Sequence, residues 1–368
     1  MNKSKLSNPV RLIAFFLTAA LLVCTFGFTV DGWQIGGEEG NNKSDGPLSS
    51  INGETEDTTT NGSQDDPDIY IPAFVNKLTG IEISESESLN NHLAFVMDPS
   101  ISSYGISRAD LLCEIPTEDG DRYIAFISNT DSLSKIGSLA PSRGYISNVA
   151  KYFGSACLSV GNDDSIKYVH CNMADATLDL SDGGYYYSEF TSNLYTNCDL
   201  LSMAIAHSGS NFAQTNKEPL PFSFVDFGLE PIFFESITAQ KITVNKGSDL
   251  STELRYNTEI GRYILYNDGM PRIDSLNGKN LEFTNCFILF SDSITYDNAE
   301  YSQMIMDTIG KGNGYYFTSG GVIEFNWIGT EDGRLSFYTI LGEKLVVNRG
   351  RSFISFVKSS KTESVIFQ

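Results

Sequence analysis

The sequence predicts an α+β protein in which an α/β layered N-terminal domain is followed by a mostly antiparallel β domain, behind a single N-terminal membrane anchor. Three observations carry this expectation. Residues 12–30 form an uncharged apolar run, residues 71–220 mix short apolar stretches with helical periodicity, and beyond residue 240 short strand-like runs alternate with Asp-Gly and Gly-Gly turns. The expected organisation is an anchor or signal segment over 1–30, a disordered acidic tether over 31–70, the α/β domain over 71–220 and the β-rich domain over 221–368. A chain of 368 residues exceeds the length at which one core stops growing, so two domains are the default. The net charge of −21 excludes one class of partner. Nucleic-acid binding needs clustered Lys and Arg to displace counterions, and an acidic chain repels phosphate, so no nucleic-acid partner is expected.

An apolar run of about 17–25 residues can cross a bilayer as a helix, and basic residues on one flank mark the cytoplasmic end. Lys3, Lys5 and Arg11 precede the run and an acidic stretch follows, which predicts that everything after Val30 lies outside the membrane. An uncleaved helix suits this length and these flanks better than the two alternatives. Ala19-Ala20 lies too deep in the run for signal cleavage, and Val23 is a poor residue before Cys24 for a lipidated cysteine. Either anchor, single-pass or lipid-bearing, makes the membrane the first expected partner. Residues 31–70 are rich in Gly, Asn, Ser, Thr, Asp and Glu, and such a composition buries too little apolar surface to offset the entropy of ordering.

The folded part begins near residue 71. Strands are expected at 93–97, 111–115, 123–128 and 156–160, and helices over 143–153 and 193–207. In the first helix Ile146, Val149, Ala150 and Phe153 recur at helical spacing, and in the second Leu200, Leu201, Ala204 and Ile205 do. From 241 onward Asp268-Gly269 and Asp332-Gly333 separate strand-like runs, as primed hairpin turns require. A short helix is expected over 307–311. Of the six cysteines, Cys113 and Cys286 read as small apolar core residues, while one bridge among Cys157, Cys171 and Cys198 stays open.

Several stretches resemble the YerB-like lipoprotein family. They are Asn76-Lys77-Leu78-Thr79-Gly80, Ala94-Phe95-Val96-Met97-Asp98 and Gly105-Ile106-Ser107-Arg108-Ala109-Asp110-Leu111-Leu112-Cys113-Glu114, followed by Arg122-Tyr123-Ile124-Ala125-Phe126. Lys135-Ile136-Gly137 and Arg143 continue the resemblance, and Gly261-Arg262-Tyr263, Asn267-Asp268-Gly269 and Gly310-Lys311-Gly312 carry it into the second half. The family has no established activity, so the resemblance implies an extracytoplasmic two-domain architecture and no reaction. Three positions depart from the family pattern. Ala140 stands where a first arginine is usual before Arg143, and Ser159 and Ser192 stand where histidines are usual. Loss of those groups implies that any acid-base or anion chemistry of the family is altered here.

The candidate binding residues are Asp98, Asp110, Glu114, Arg122, Arg143 and Asn193. The first five lie at or near strand ends, and Asn193 is retained in one of the altered loops. Carboxylates beside arginines can orient a polar ligand, and a carboxylate pair drawn from Asp98, Asp110 and Glu114 could act on a glycoside. The competing reading is an internal ion-pair network. Other motifs point elsewhere. Gly310-Lys311-Gly312-Asn313-Gly314 is expected as a glycine-rich β turn, since a phosphate loop needs a following helix. Ser132-Leu133-Ser134-Lys135 has the S-x-x-K spacing but none of its companion motifs. His92, His170 and His207 show no ligand spacing. No catalytic residue, metal site or cofactor is assigned. The expected function is a membrane-anchored extracytoplasmic binding or scaffold protein of a bacterial cell envelope, holding a polar ligand, an envelope polymer or a membrane protein; the alternative is an envelope glycan hydrolase.

Overall fold

Successive side chains of a strand point to opposite faces, so a strand that is apolar at every position needs cover on both sides. In the strand Leu93–Met97, Leu93, Phe95 and Met97 enter one core while Ala94 and Val96 enter another. The computed structural model describes residues 70–161, 177–189, 192–208, 220–247, 250–297 and 302–368. In chain order the first half contains α1 (Glu85–Ser88), β1 (Leu93–Met97), β2 (Leu111–Thr117), β3 (Gly120–Ile127), β4 (Ile136–Leu139), α2 (Gly144–Tyr152), β5 (Ala156–Ser159), β6 (Thr177–Asp179), β7 (Tyr187–Ser188), β8 (Leu194–Thr196), α3 (Cys198–Ser208) and β9 (Ser223–Phe224). Then come β10 (Lys241–Gly247), β11 (Leu250–Asn257), β12 (Arg262–Asn267), β13 (Met270–Pro271), β14 (Glu282–Phe283), β15 (Asn285–Ser291), β16 (Ser293–Asp297) and β17 (Ser302–Met306). The last strands are β18 (Gly310–Thr318), β19 (Gly321–Gly329), β20 (Leu335–Thr339), β21 (Val346–Val347), β22 (Ser352–Lys358) and β23 (Val365–Phe367).

A large mixed sheet runs β20-β19-β18-β15-β22-β2-β3-β1-β4-β8-β7, with β5 on β1 and β6 on β5. Its middle is parallel: β22 lies between β15 and β2 and pairs in parallel with both. A second sheet, β13-β12-β11-β10-β23 with β14 on β12, packs on one face. There Ile242, Val244, Leu254, Tyr263 and Phe283 join Phe95, Leu112, Tyr123 and Phe353 in one core. On the other face Tyr145, Ile146, Val149 and Ala150 of α2 pack with Ile124, Phe126, Phe287 and Phe356.

The described residues are therefore mostly β, with mixed and antiparallel sheets. The expected α/β layering of 71–220 does not appear as a separate domain, because β22 inserts beside β2 and the sheet runs across residue 220. The reason is physical: a strand buried on both faces carries no local mark of which neighbours it will pair with. The helix over 143–153 forms as α2. The one over 193–207 starts later, since Leu194–Thr196 pairs with β4 and Asn197 Oδ1 then accepts the Leu200 N–H at 2.9 Å as a cap. No helix forms at 307–311, and the glycine-rich segment after it is half of β18 rather than a turn. Gly312 and Gly314 serve close approach there, because a Cβ would run into the Phe290 and Ile288 carbonyls of β15. The apolar run with Cys24 and the tether as far as residue 69 lie outside the described residues, as do Cys171 and His170. Among the described residues no helix is long and apolar enough to cross a membrane.

Candidate functional site

The β2–β3 hairpin and the residues flanking it carry most of the expected site, but as three separate clusters. Asp110 precedes β2 and forms the first. Its Oδ2 accepts Asn76 Nδ2 at 3.0 Å and Ser128 Oγ at 2.7 Å, and His92 Nε2 lies 3.5 Å away. Asn76 is held in place by its own turn, in which Oδ1 accepts the Leu78 N–H at 2.9 Å. Burial alone would raise the Asp110 pKa, but the imidazole, the hydroxyl and the amide outweigh it and hold the carboxyl below its usual value. Arg351, just before β22, stands beside this group: its Nε donates to the Ala109 carbonyl at 2.6 Å while Nη2 is buried without a partner. His92 Nε2 is likewise buried, and its 3.5 Å contact with Asp110 Oδ2 is long for a hydrogen bond.

Glu114 forms the second cluster, between the two sheets. It is 1% exposed, and its Oε1 accepts Lys246 Nζ at 2.7 Å and Thr252 Oγ1 at 2.9 Å, while Oε2 accepts Ser355 Oγ at 3.2 Å. Lys246 also donates to Asp121 Oδ2 at 2.5 Å. Burial raises the Glu114 pKa, with Lys246 opposing and Asp121 adding to the shift; the two carboxylates hold Lys246 charged against the cost of its own burial. Sequence reading missed Lys246. A signal existed, since Lys246 follows Ile242 and Val244 at the alternate, inward positions of β10.

Arg122 and Arg143 meet at the hairpin tip and form the third. Arg143 Nε donates to Glu118 Oε1 at 2.9 Å and its Nη2 to the same oxygen, while Arg122 Nη2 donates to Asp119 Oδ2 at 2.7 Å. Arg143 Nη2 is also 3.8 Å from Asp119, so the two guanidinium groups close on the two-residue turn between β2 and β3. The two candidate arginines thus hold the protein's own carboxylates. Asp98 is apart, accepting the Ser100 N–H and hydroxyl at 2.8 and 2.6 Å in a turn after β1. Asn193 precedes β8, toward the far edge of the large sheet, and is not brought to the others. Cys113, Cys157, Cys198 and Cys286 are free thiols, and Cys157 is buried against Ser142. Lys135 of the S-x-x-K stretch lies in no helix; its ammonium is 4.0 and 3.8 Å from the ring centres of Tyr104 and Tyr195 and donates to Glu189. Among the described residues no group of three His, Cys, Asp or Glu side chains could hold a metal ion.

Fold and site together define a mostly β protein built around two large sheets, in which the candidate carboxylates and arginines are bonded chiefly within the chain. Residues 241–354 match the family described as the C-terminal domain of a protein of unknown function, DUF3048. The structure resembles that of the YerB protein from Bacillus subtilis, with a TM-score of 0.66 and 20% sequence identity over 80% of this chain and 99% of that one. None of the curated proteins compared with the chain matches it. The match over residues 241–354 and the shared fold bear out the resemblance to the YerB-like proteins, whose function is unknown, that the motifs carry.

Proposed function

We propose that this is a non-catalytic, membrane-tethered extracytoplasmic protein that binds a polar component of the cell envelope. One observation carries the non-catalytic part: each candidate carboxylate is committed to a fixed partner of the same chain. Glu114 is sealed between the sheets against Lys246, Asp110 receives the Asn76 and Ser128 donors, and Asp98 closes its own turn. General acid catalysis on a glycoside needs a protonated carboxyl that a substrate oxygen can reach. Asp110 is held ionised, and Glu114, whose pKa is raised, is out of reach. The tether rests on sequence: the apolar run 12–30, its basic flank and the acidic stretch after it.

The test is sedimentation of the purified chain with isolated cell wall, followed by analysis of the wall fragments released. Saturable binding with intact fragments is expected. Released fragments would restore the hydrolase reading, and absence of binding would sink the polymer-binding one. Protease treatment of intact cells tests the topology, with cleavage expected within residues 31–70. A folded part protected inside the cell would overturn it.

A further inference from the structure

Four residues stand in sheet order across one end of the large sheet. Arg351 precedes β22, Asp110 precedes β2, Ser128 follows β3 and His92 precedes β1, and these four strands are consecutive neighbours. Strands lie about 4.8 Å apart, so the row has the dimensions of a small ligand rather than of a single ion. Leu111 pairs with Ser352, which sets Asp110 and Arg351 side by side one residue out, and the Ser352 N–H donates to the Asp110 carbonyl. The turn of Asn76 to Gly80 lies along the row, bonded to Asp110 by Asn76 Nδ2 and to the Gly350 N–H by the Thr79 carbonyl.

The hydrogen bonding of this row is incomplete in a specific way. Asn76 and Ser128 both reach Asp110 Oδ2, the atom nearest His92, and Oδ1 takes no hydrogen bond from a described residue. The Asp110 side chain keeps 18% of its surface exposed. On either side of it are two buried nitrogens, Arg351 Nη2 without a partner and His92 Nε2 with only its long 3.5 Å contact to Asp110 Oδ2. Buried polar atoms nearly always find partners, and an open guanidinium nitrogen and a loosely held imidazole beside a half-open carboxylate call for an explanation. An anion fits poorly, because Asp110, Asp274 and Glu282 all bear on Arg351. A cation or metal leaves the two nitrogens unserved. A neutral group that both donates and accepts serves all three.

We propose that this row binds a neutral polyhydroxyl unit, such as a sugar residue of a glycan, with one hydroxyl donating to Asp110 Oδ1 and accepting from Arg351 Nη2 and a neighbouring oxygen meeting His92. This deepens the envelope-binding reading and rests on it. Phe283, whose ring centre is 5.4 Å from the Arg351 guanidinium, fixes that side chain from below.

The experiment is calorimetric titration of the full chain in detergent with a tetramer of N-acetylglucosamine, using wild type, Arg351→Lys and, as a control at the hairpin tip, Arg143→Lys. Saturable binding is expected, weakened about tenfold or more by Arg351→Lys, which keeps the charge but loses the planar fork, and changed less than about twofold by Arg143→Lys. Wild type that does not bind the tetramer, or Arg351→Lys that binds it equally well, overturns the proposal. Preferential binding of inorganic phosphate overturns it too, in favour of an anion site. Should Arg351→Lys fail to fold, the imidazole nitrogen signals of wild type decide: the His92 signal, assigned through His92→Gln, must move during the titration, and a silent His92 under saturating tetramer refutes the assignment. Cell-wall binding that survives Arg351→Lys would remove this site while leaving the envelope-binding function intact, whereas loss of wall binding in wild type removes both.

Discussion

Asp110, just before β2, and Glu114, within it, lie four residues apart, and their protonation equilibria move in opposite directions. Asp110 is held below its usual range and Glu114 is pushed above it. A difference in charge pairing does not explain this, for Glu114 has the closer cation. What differs is access to solvent and the company of other acids. Asp110 stands at a strand end with 18% of its side chain exposed, so its donors outweigh burial. Glu114 is sealed between two sheets with Asp121 nearby, and there desolvation and repulsion outweigh Lys246 and two hydroxyls.

The largest break in this comparison should come from Lys246→Met. It leaves the Glu114 charge buried and unpaired, and the folded state should lose about 3–5 kcal/mol, measured from denaturant midpoints at neutral pH. Arg143→Ala at the hairpin tip should cost about 2 kcal/mol, since it removes charge-assisted bonds to Glu118. Ser128→Ala takes one donor from Asp110 and should cost about 1 kcal/mol. The sharpest contrast is in pH dependence. Asp110 has a lowered folded pKa, so its contribution is present above its unfolded value of 3.8 and is lost as pH falls through the lower folded one; wild type should lose stability relative to Asp110→Asn in strong acid. Glu114 has a raised folded pKa, so wild type should gain on Glu114→Gln as pH falls from neutral toward 4.5. Parallel curves for either pair of proteins would show that the carboxylate does not behave as its surroundings dictate.

Much of the local structure was legible. The strands β1, β2, β3 and β5, the helix α2 and the hairpin turns of the second half follow from periodicity and turn residues, and Asp110, Glu114, Arg122 and Arg143 all prove to be buried or bonded in charged clusters. Their partners were not legible. Lys246 reaches Glu114 across 132 residues, and Ser355 reaches it across 241. Local alternation shows that Lys246 points inward, but not what it meets there. The reading of 71–220 as a self-contained α/β domain failed for the same reason, because its central strand neighbour, β22, comes from near the C-terminus.

That placement of β22 has a consequence for how the chain is made. The strand that joins β15 to β2 is translated after both of them, so each waits with an unpaired edge facing an empty slot until β22 is made. Open edges of apolar strands recruit other strands. Joining the two halves waits on residues 352–358, and a chain cut short before them would carry two adhesive edges instead of one closed sheet. Until β22 is made, in this molecule, those two edges are what a neighbouring chain would meet.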